Sequence, residues 1–282
     1  MSIVNMKDML RDAQKKGVGI GAFEFWSYDS AAAVIRAAEK LEMPVILQAG
    51  KWEADFAGGY ESMASIFRYA AEKSPVPVAL HLDHSVELEE VYAALEAGFT
   101  SVMIDSSAKP FDENAADAVA VVERAKKYGA TVEAELGRLE GNEGEIIADS
   151  REACQTDPMD AKRFVEVTGI DALAVSIGTV HGFYNFTPEL NIERLKKIRA
   201  QVNIPLVLHG GSGTPDYDVV SSIKNGICKI NICTEFIAAY GKAYGEVQIQ
   251  DGFKYSVPSF FEYGRDAGCK LAYDKIKLFA RK

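Results

Sequence analysis

No run of the sequence approaches the roughly 18 consecutive apolar residues that a membrane-spanning helix requires. The opening segment, MSIVNMKDMLRDAQKKG, has the pattern of an amphipathic helix without the apolar centre of a secretory signal. A cytoplasmic protein that engages no membrane is the expectation. Cysteine is scarce: Cys154, Cys228, Cys233 and Cys269 stand far apart with no CxxC pair, which argues against a disulfide framework or a zinc ribbon and for reduced thiols. A basic excess is missing as well. With 31 Lys and Arg against 41 Asp and Glu, the net charge is −10, the reverse of a surface that displaces counterions from nucleic acid. An anionic small substrate stays open, because a metal or helix N-termini can make one site positive on an acidic surface. Also absent is any linker-like break in composition, so the 282 residues read as a single domain, 1–282, and a hydrophobic fraction of 48% supplies a large core.

What is present is a repeated alternation. Short apolar runs rich in β-branched residues give way to helical patterns from end to end, the signature of βα units on a parallel sheet. Strands are predicted at 19–23, 45–49, 78–83, 101–105, 131–136, 172–177, 206–209 and 229–233, with helices such as 29–41, 87–97, 114–128 and 192–201 between them. Pro44, Pro77 and Pro205 each stand just before a strand, where a missing amide donor costs little and the preceding helix must stop. Eight such units favour an α/β fold of the (β/α)8 TIM-barrel type, with an N-terminal helix before it and an additional C-terminal helix at 255–282 that covers the barrel or reaches a neighbouring subunit. An open doubly wound sheet is the alternative.

In a parallel barrel the reacting groups gather at the C-terminal ends of the strands. Strand three ends in HLDHS, strand five in EAELG, strand six runs into IGTVHG, strand seven ends in LHGGSG and strand eight in NICT. Of only four histidines, His84, His181 and His209 fall at three of these ends. Three imidazoles with positions left open are the donor set of a catalytic zinc site, whereas a structural site is closed by four protein ligands. The fourth, His81, is read as a core residue or a support for the ligands. Asp83, beside a ligand, is placed for proton transfer or for orienting that ligand. The GGSG at 210–213 and the NICT at 231–234 each precede a helix, and together they form a plausible phosphate cradle. Glu133 and Glu135 share one face of strand five. The stretch after them, RLEGNEGEIIADSREACQTDP, reads as a lid that could carry a carboxylate such as Glu143 into the site.

These motifs resemble the class II ketose-bisphosphate aldolases, the family of fructose- and tagatose-bisphosphate aldolases, from about residue 6 to residue 236. HLDHS, SVMID, VEAELG, GIDALAVSIGTVHG and PLVLHGGSG through CKINICTE carry the resemblance in order and spacing. It implies reversible aldol cleavage of a ketose phosphate to dihydroxyacetone phosphate and an aldehyde. Zinc on His84, His181 and His209 acts as Lewis acid toward the ketone and adjacent hydroxyl, Glu143 takes the carbon-bound proton in condensation, and Asp83 protonates the aldehyde oxygen. Gly182, Gly210, Gly211, Ser212, Asn231 and Thr234 hold the phosphate ester, with a monovalent cation (Na+ or K+) nearby. Glu135 orients a metal ligand or binds a second ion. A homodimer or homotetramer is implied.

Departures from the family pattern define an aldehyde pocket. Cys233 replaces the aspartate of the fructose-bisphosphate enzymes in the strand-eight motif, Glu24 turns AFN into AFE, and Ser106 follows SVMID. The arginine that reaches a distal phosphate has no counterpart near 258–261. An added carboxylate and a lost guanidinium both disfavour a second phosphate, so the expected aldehyde is not glyceraldehyde 3-phosphate, with a fructose- or tagatose-bisphosphate aldolase proper as the alternative. Three rival readings stand beside this one. A Schiff-base aldolase needs a desolvated lysine inside the barrel, and Lys229, the only one in a predicted strand, is placed at the end away from the mouth. Metal-assisted hydrolysis is disfavoured by the phosphate cradle and by the lack of HxH on strand one. A non-catalytic family member is disfavoured by the intact set of histidines.

Overall fold

The computed structural model describes residues 2–137, 155–179, 182, 188–251 and 256–282. After α1 (Met6–Lys16) come eight strands: β1 (Ile20–Glu24), β2 (Val45–Ala49), β3 (Val78–Ser85), β4 (Ser101–Ile104), β5 (Thr131–Leu136), β6 (Ala172–Val175), β7 (Leu206–Leu208) and β8 (Ile227–Ile232). Helix α2 (Tyr28–Leu41) follows β1, and the pair α3 (Lys51–Ala57) and α4 (Tyr60–Ala71) follows β2. Then α5 (Leu88–Ala97), α6 (Phe111–Ala125), α7 (Pro158–Thr168), α8 (Ile192–Gln201) and α9 (Asp216–Lys224) follow β3 to β7 in turn. Helices α10 (Thr234–Asp251) and α11 (Val257–Phe279) complete the chain.

All eight strands pair in parallel in sequence order, and β8 closes on β1 through Ala22 and Asn231, so the sheet is a closed barrel and not the open alternative. The strands are buried on both faces, as continuous apolar runs require. Outward residues pack under the helices with Phe23, Phe25, Phe67, Phe164 and Phe236, all essentially inaccessible, and each such side chain contributes about 1.5–3 kcal/mol.

Side chains alternate with period two along a strand, and the inward set changes character with height. Ile20, Ile46, Ala79, Met103, Ala172 and Val207 meet Met6, Met9 and Leu10 of α1, which plugs the N-terminal end of the barrel. Two and four residues further on, the same inward positions of β3 and β5 carry His81 and Asp83, and Glu133 and Glu135, all almost fully buried. The interior therefore passes from an apolar plug to a polar mouth.

Helix α11 packs on α2 and α10, as the expectation that it covers the barrel requires. Its approach depends on two missing side chains. A Cβ at Gly268 would lie 2.3 Å from a ring carbon of Tyr240, and one at Gly264 would lie 2.4 Å from the hydroxyl of Tyr244.

Three strand ends differ from the predicted ones in a way that matters. Strand β3 continues two residues past Asp83, β7 stops before His209, and β8 begins at Ile227. Lys229 is thus the third residue of β8 and fully buried in the barrel interior, not at the outer end. The sequence hid this because Ile227 and Cys228 read equally well as the turn leaving α9.

Candidate active site

Strict alternation would point Asp83 and His84 to opposite faces of β3, yet both reach the mouth. His84 has a φ of 41°, rare for a residue with a side chain, and the register between β3 and β4 shifts between Leu82 and Ser85. The shift turns His84 inward beside its neighbour. Non-glycine backbone in this region costs about 1–3 kcal/mol and persists where surrounding bonds hold it. The amide of Asp105 donates to Ser85 O at 2.7 Å, on the far side of the bend.

Each described imidazole at the mouth is fixed by a carboxylate. His84 Nδ1 lies 2.8 Å from Asp105 Oδ2, and His209 Nε2 lies 2.8 Å from Glu133 Oε1. Carboxylates accept, so these nitrogens carry the protons, and the other nitrogen of each ring is left as the donor to a ligand. Those two nitrogens, His84 Nε2 and His209 Nδ1, face each other at 2.5 Å. Their lone pairs are directed at one shared position, which a proton or a metal ion would occupy. With Asp83, their ligand atoms all fall within 4.8 Å of one another, as do those of His84, Asp105 and Glu135. This N and O donor set, buried and pre-oriented, fits a divalent ion such as zinc. Without the ion a proton serves. Burial opposes charge on His84, but Asp83, Asp105 and Glu135 outweigh it and raise its pKa to about 10. Asp105 in turn stays ionised far below the usual carboxylate range, since the bond to His84 outweighs its own burial.

Asp83 is held on two sides. Gln48 Nε2 donates to its Oδ2 at 2.7 Å, and Asn231 Nδ2 lies 3.1 and 3.2 Å from its two oxygens. The same Gln48 nitrogen lies 3.2 Å from Glu24 Oε2, and the amide of Gly50 donates to Glu24 Oε1 at 3.1 Å. One amide thus tethers two carboxylates of neighbouring strands. Beneath them, Lys229 Nζ contacts both oxygens of Glu133 at 3.0 and 2.9 Å. His81 Nδ1 lies 2.7 Å from Ser101 Oγ. Burial first, and then Lys229, keep His81 neutral.

The Lys229–Glu133 pair is completely inaccessible, which sets a stability test. Lys229→Met leaves Glu133 without its counterion in the barrel centre, and chemical unfolding should show a loss of about 3–5 kcal/mol. A loss below about 1 kcal/mol would mean that the pair adds little beyond the cost of its own burial.

The pocket at the mouth is lined by Asp83, His84, Gly182, Gly210, Ser212, Asn231, Cys233 and Thr234. These are catalytic, metal, phosphate and aldehyde-pocket residues read from sequence, brought together from three strand ends and from Gly182. His209 joins them through His84, and Glu135 stands behind His84 and Asp105. Glu24 is buried one amide away from Asp83.

Two of the sequence candidates are placed otherwise. Ser106 does not face the pocket, because its hydroxyl donates to Asp117 on α6 at 2.6 Å. Gly211 packs strand on strand: its amide donates to Asn231 O at 3.1 Å, and a Cβ there would lie 2.7 Å from that oxygen. His181 and Glu143 lie outside the described residues. The sequence reading gave no role to Asp105, Gln48 and Glu133. Gln48 and Asp105 are polar residues at or just past the C-terminal end of an otherwise apolar strand, which is a usable signal, whereas Glu133 stands mid-strand in β5.

Comparison with known proteins agrees with the barrel and identifies the family. Residues 4–282 match the family described as fructose-bisphosphate aldolase class-II. A Bacillus subtilis (strain 168) protein named "Probable fructose-bisphosphate aldolase" is 38% identical over 281 residues, covering 99% of this chain and 98% of that one. The crystal structure of the YdjI aldolase from Escherichia coli K12 superposes with a TM-score of 0.85 at 35% identity, over 98% of this chain and 97% of its own. A fructose-bisphosphate aldolase from Campylobacter jejuni gives a TM-score of 0.84 over 99% of this chain and 95% of its own; at 24% identity it speaks for the fold alone.

Proposed function

Since the chain belongs to the class II fructose-bisphosphate aldolase family, we propose that it is a zinc-dependent lyase that reversibly cleaves a ketose 1-phosphate to dihydroxyacetone phosphate and an aldehyde without a second phosphate. The observation that carries the metal dependence is the pair of carboxylate-fixed imidazoles whose remaining nitrogens converge at 2.5 Å beside Asp83. His84 and His209, with His181, would hold the ion, which when bound would supply Lewis acidity toward the ketone and its neighbouring hydroxyl.

The residues supply the rest. In cleavage, the carboxylate of Asp83 takes the hydroxyl proton from the carbon that becomes the aldehyde. The carbon–carbon bond breaks, its electron pair stays with the dihydroxyacetone phosphate half, and Glu143 returns a proton to that carbon. Condensation runs the same transfers backward. Gln48 and Asn231 fix Asp83 in place, so it reaches the reacting oxygen without reorganisation. Gly182, Gly210, Ser212 and Thr234, at the start of α10, receive the phosphate ester, where a helix N-terminus and glycine amides suit an anion. A sodium or potassium ion beside it would complete the neutralisation. No described helix is long and apolar enough to cross a membrane, and a homodimer or homotetramer is the proposed assembly.

The distal specificity rests on charge. Glu24 is 2% exposed and shares Gln48 with Asp83, so two carboxylates crowd that side of the mouth. Among the described residues lining the pocket none is Lys or Arg. A second phosphate there would meet repulsion without a bidentate partner. Cleavage of a panel of fructose and tagatose bisphosphates and several ketose 1-phosphates, coupled to detection of dihydroxyacetone phosphate, tests this. The expected result is a kcat/KM at least about tenfold higher, some 1.4 kcal/mol, for a ketose 1-phosphate. The name of the Bacillus subtilis relative favours the other reading, and a preference for fructose 1,6-bisphosphate would establish it while keeping the mechanism.

A further inference from the structure

The two loops that form the phosphate end are tied by a reciprocal clasp. The amide of Gly213 donates to Glu235 Oε1 at 2.7 Å, and the amide of Glu235 donates to Ser212 Oγ at 3.2 Å. The loop after β7 and the first turn of α10 therefore cannot shift independently. Gly213 adopts a φ of 75°, which aims its amide at the carboxylate. The clasp carries an electrostatic problem, because it places a carboxylate beside the position proposed for a phosphate ester. That problem is met from the far end of the chain: Lys275 of α11 lies 2.7 Å from Glu235 Oε2, with side chains only 14% and 27% exposed. Nothing in the chemistry of carbon–carbon cleavage requires a residue on α11, yet this helix reaches the site through one ion pair.

We propose that Glu235 and Lys275 are positioning residues for phosphate binding: Glu235 locks the two cradle loops, and Lys275 cancels its charge so that the cradle accepts an anion. The proposal rests on the phosphate reading of the site given above. It assigns to the C-terminal helix a part in substrate affinity and none in the proton transfers.

Inorganic phosphate, titrated calorimetrically into the chelator-treated full chain, reads the cradle without activity. Lys275→Met leaves Glu235 uncompensated and should weaken phosphate roughly tenfold, with KM for the ketose phosphate rising in parallel and kcat unchanged within about twofold. Glu235→Gln keeps an acceptor for Gly213 but frees the lysine charge, so phosphate should bind about threefold tighter. The double variant Glu235→Gln/Lys275→Met has both the acceptor and neutrality, and should return to within about twofold of the parent. The opposite signs of the two single variants, and the rescue in the double, separate a charge effect from general damage. Because Glu235→Gln retains the clasp, its affinity is readable even where Lys275→Met folds poorly. Unchanged phosphate affinity in both single variants, or a double variant as weak as Lys275→Met, overturns the proposal. A parent protein that binds no phosphate and cleaves no ketose phosphate overturns the phosphate reading itself, and this pair's role with it.

Discussion

Asp83→Asn is expected to lower kcat for ketose phosphate cleavage by about two to four orders of magnitude, a barrier increase of roughly 2.7–5.5 kcal/mol. The substitution keeps size and removes the basic oxygen, while Gln48 and Asn231 remain at 2.7–3.2 Å to orient what replaces it. Two further readings show which role is lost. Asp83 also falls within 4.8 Å of the donor atoms of His84 and His209, so it could serve as a ligand in place of an acid/base. If it were a ligand, the variant would lose zinc along with activity. As an acid/base it keeps a full complement of metal by elemental analysis. Exchange of the carbon-bound hydrogen of dihydroxyacetone phosphate in deuterium oxide needs metal and Glu143 but no aldehyde oxygen, so it should survive in Asp83→Asn at within about tenfold of the parent rate. Loss of exchange to the same extent as cleavage would move Asp83 from proton transfer at the aldehyde oxygen to support of the metal.

The strand-end rule explains why so much of this site is legible in sequence. Eight βα units place HLDHS, LHGGSG and NICT at one mouth whatever the details of packing, and the structure lines one pocket with residues from all three. Partners that act from the next strand over are less legible. Asp105 and Glu133 matter because of which imidazole nitrogen they touch, and that depends on cross-strand register, which a sequence states only through closed-barrel geometry. The bend at His84 is hidden for the same reason: a positive φ at a histidine follows from the shifted pairing of β3 and β4, not from a glycine that a reader could notice. Lys229 turned on two residues at the start of β8. Counted from Ile227, the strand carries it into the barrel centre beside Glu133, where it balances a buried carboxylate. A lysine so placed satisfies the burial that Schiff-base chemistry requires, but both oxygens of Glu133 hold its ammonium group, and the mouth with Asp83 and the phosphate loops lies above it. Ser106 illustrates the converse error. A departure from a family motif suggested a substrate contact, whereas the hydroxyl serves Asp117.

Removal of the metal by a strong chelator should abolish cleavage by at least about four orders of magnitude, with recovery on adding zinc. The same site predicts how recovery varies with pH. In the metal-free protein His84 binds its proton up to about pH 10, because Asp83, Asp105 and Glu135 together outweigh the opposing effect of burial. That raised pKa stabilises the metal-free fold fully below the unfolded value of about 6.5, and the contribution is lost as pH rises toward 10. Zinc needs the same Nε2 lone pair, so it displaces the proton, and its apparent affinity should climb by about one logarithmic unit per pH unit between about pH 7 and 9. The two effects have opposite signs: acid favours the protonated, metal-free site, and alkali favours the metal. The rise in melting temperature on adding a fixed excess of zinc should therefore be small at pH 6 and grow steadily to pH 9. His209→Ala removes one donor and exposes Glu133 to the gap, and it should lose both the zinc-dependent shift and activity at every pH. A zinc-dependent shift independent of pH would mean that zinc does not compete with the His84 proton, and cleavage that persists after exhaustive chelation would show that the chemistry proceeds without a metal.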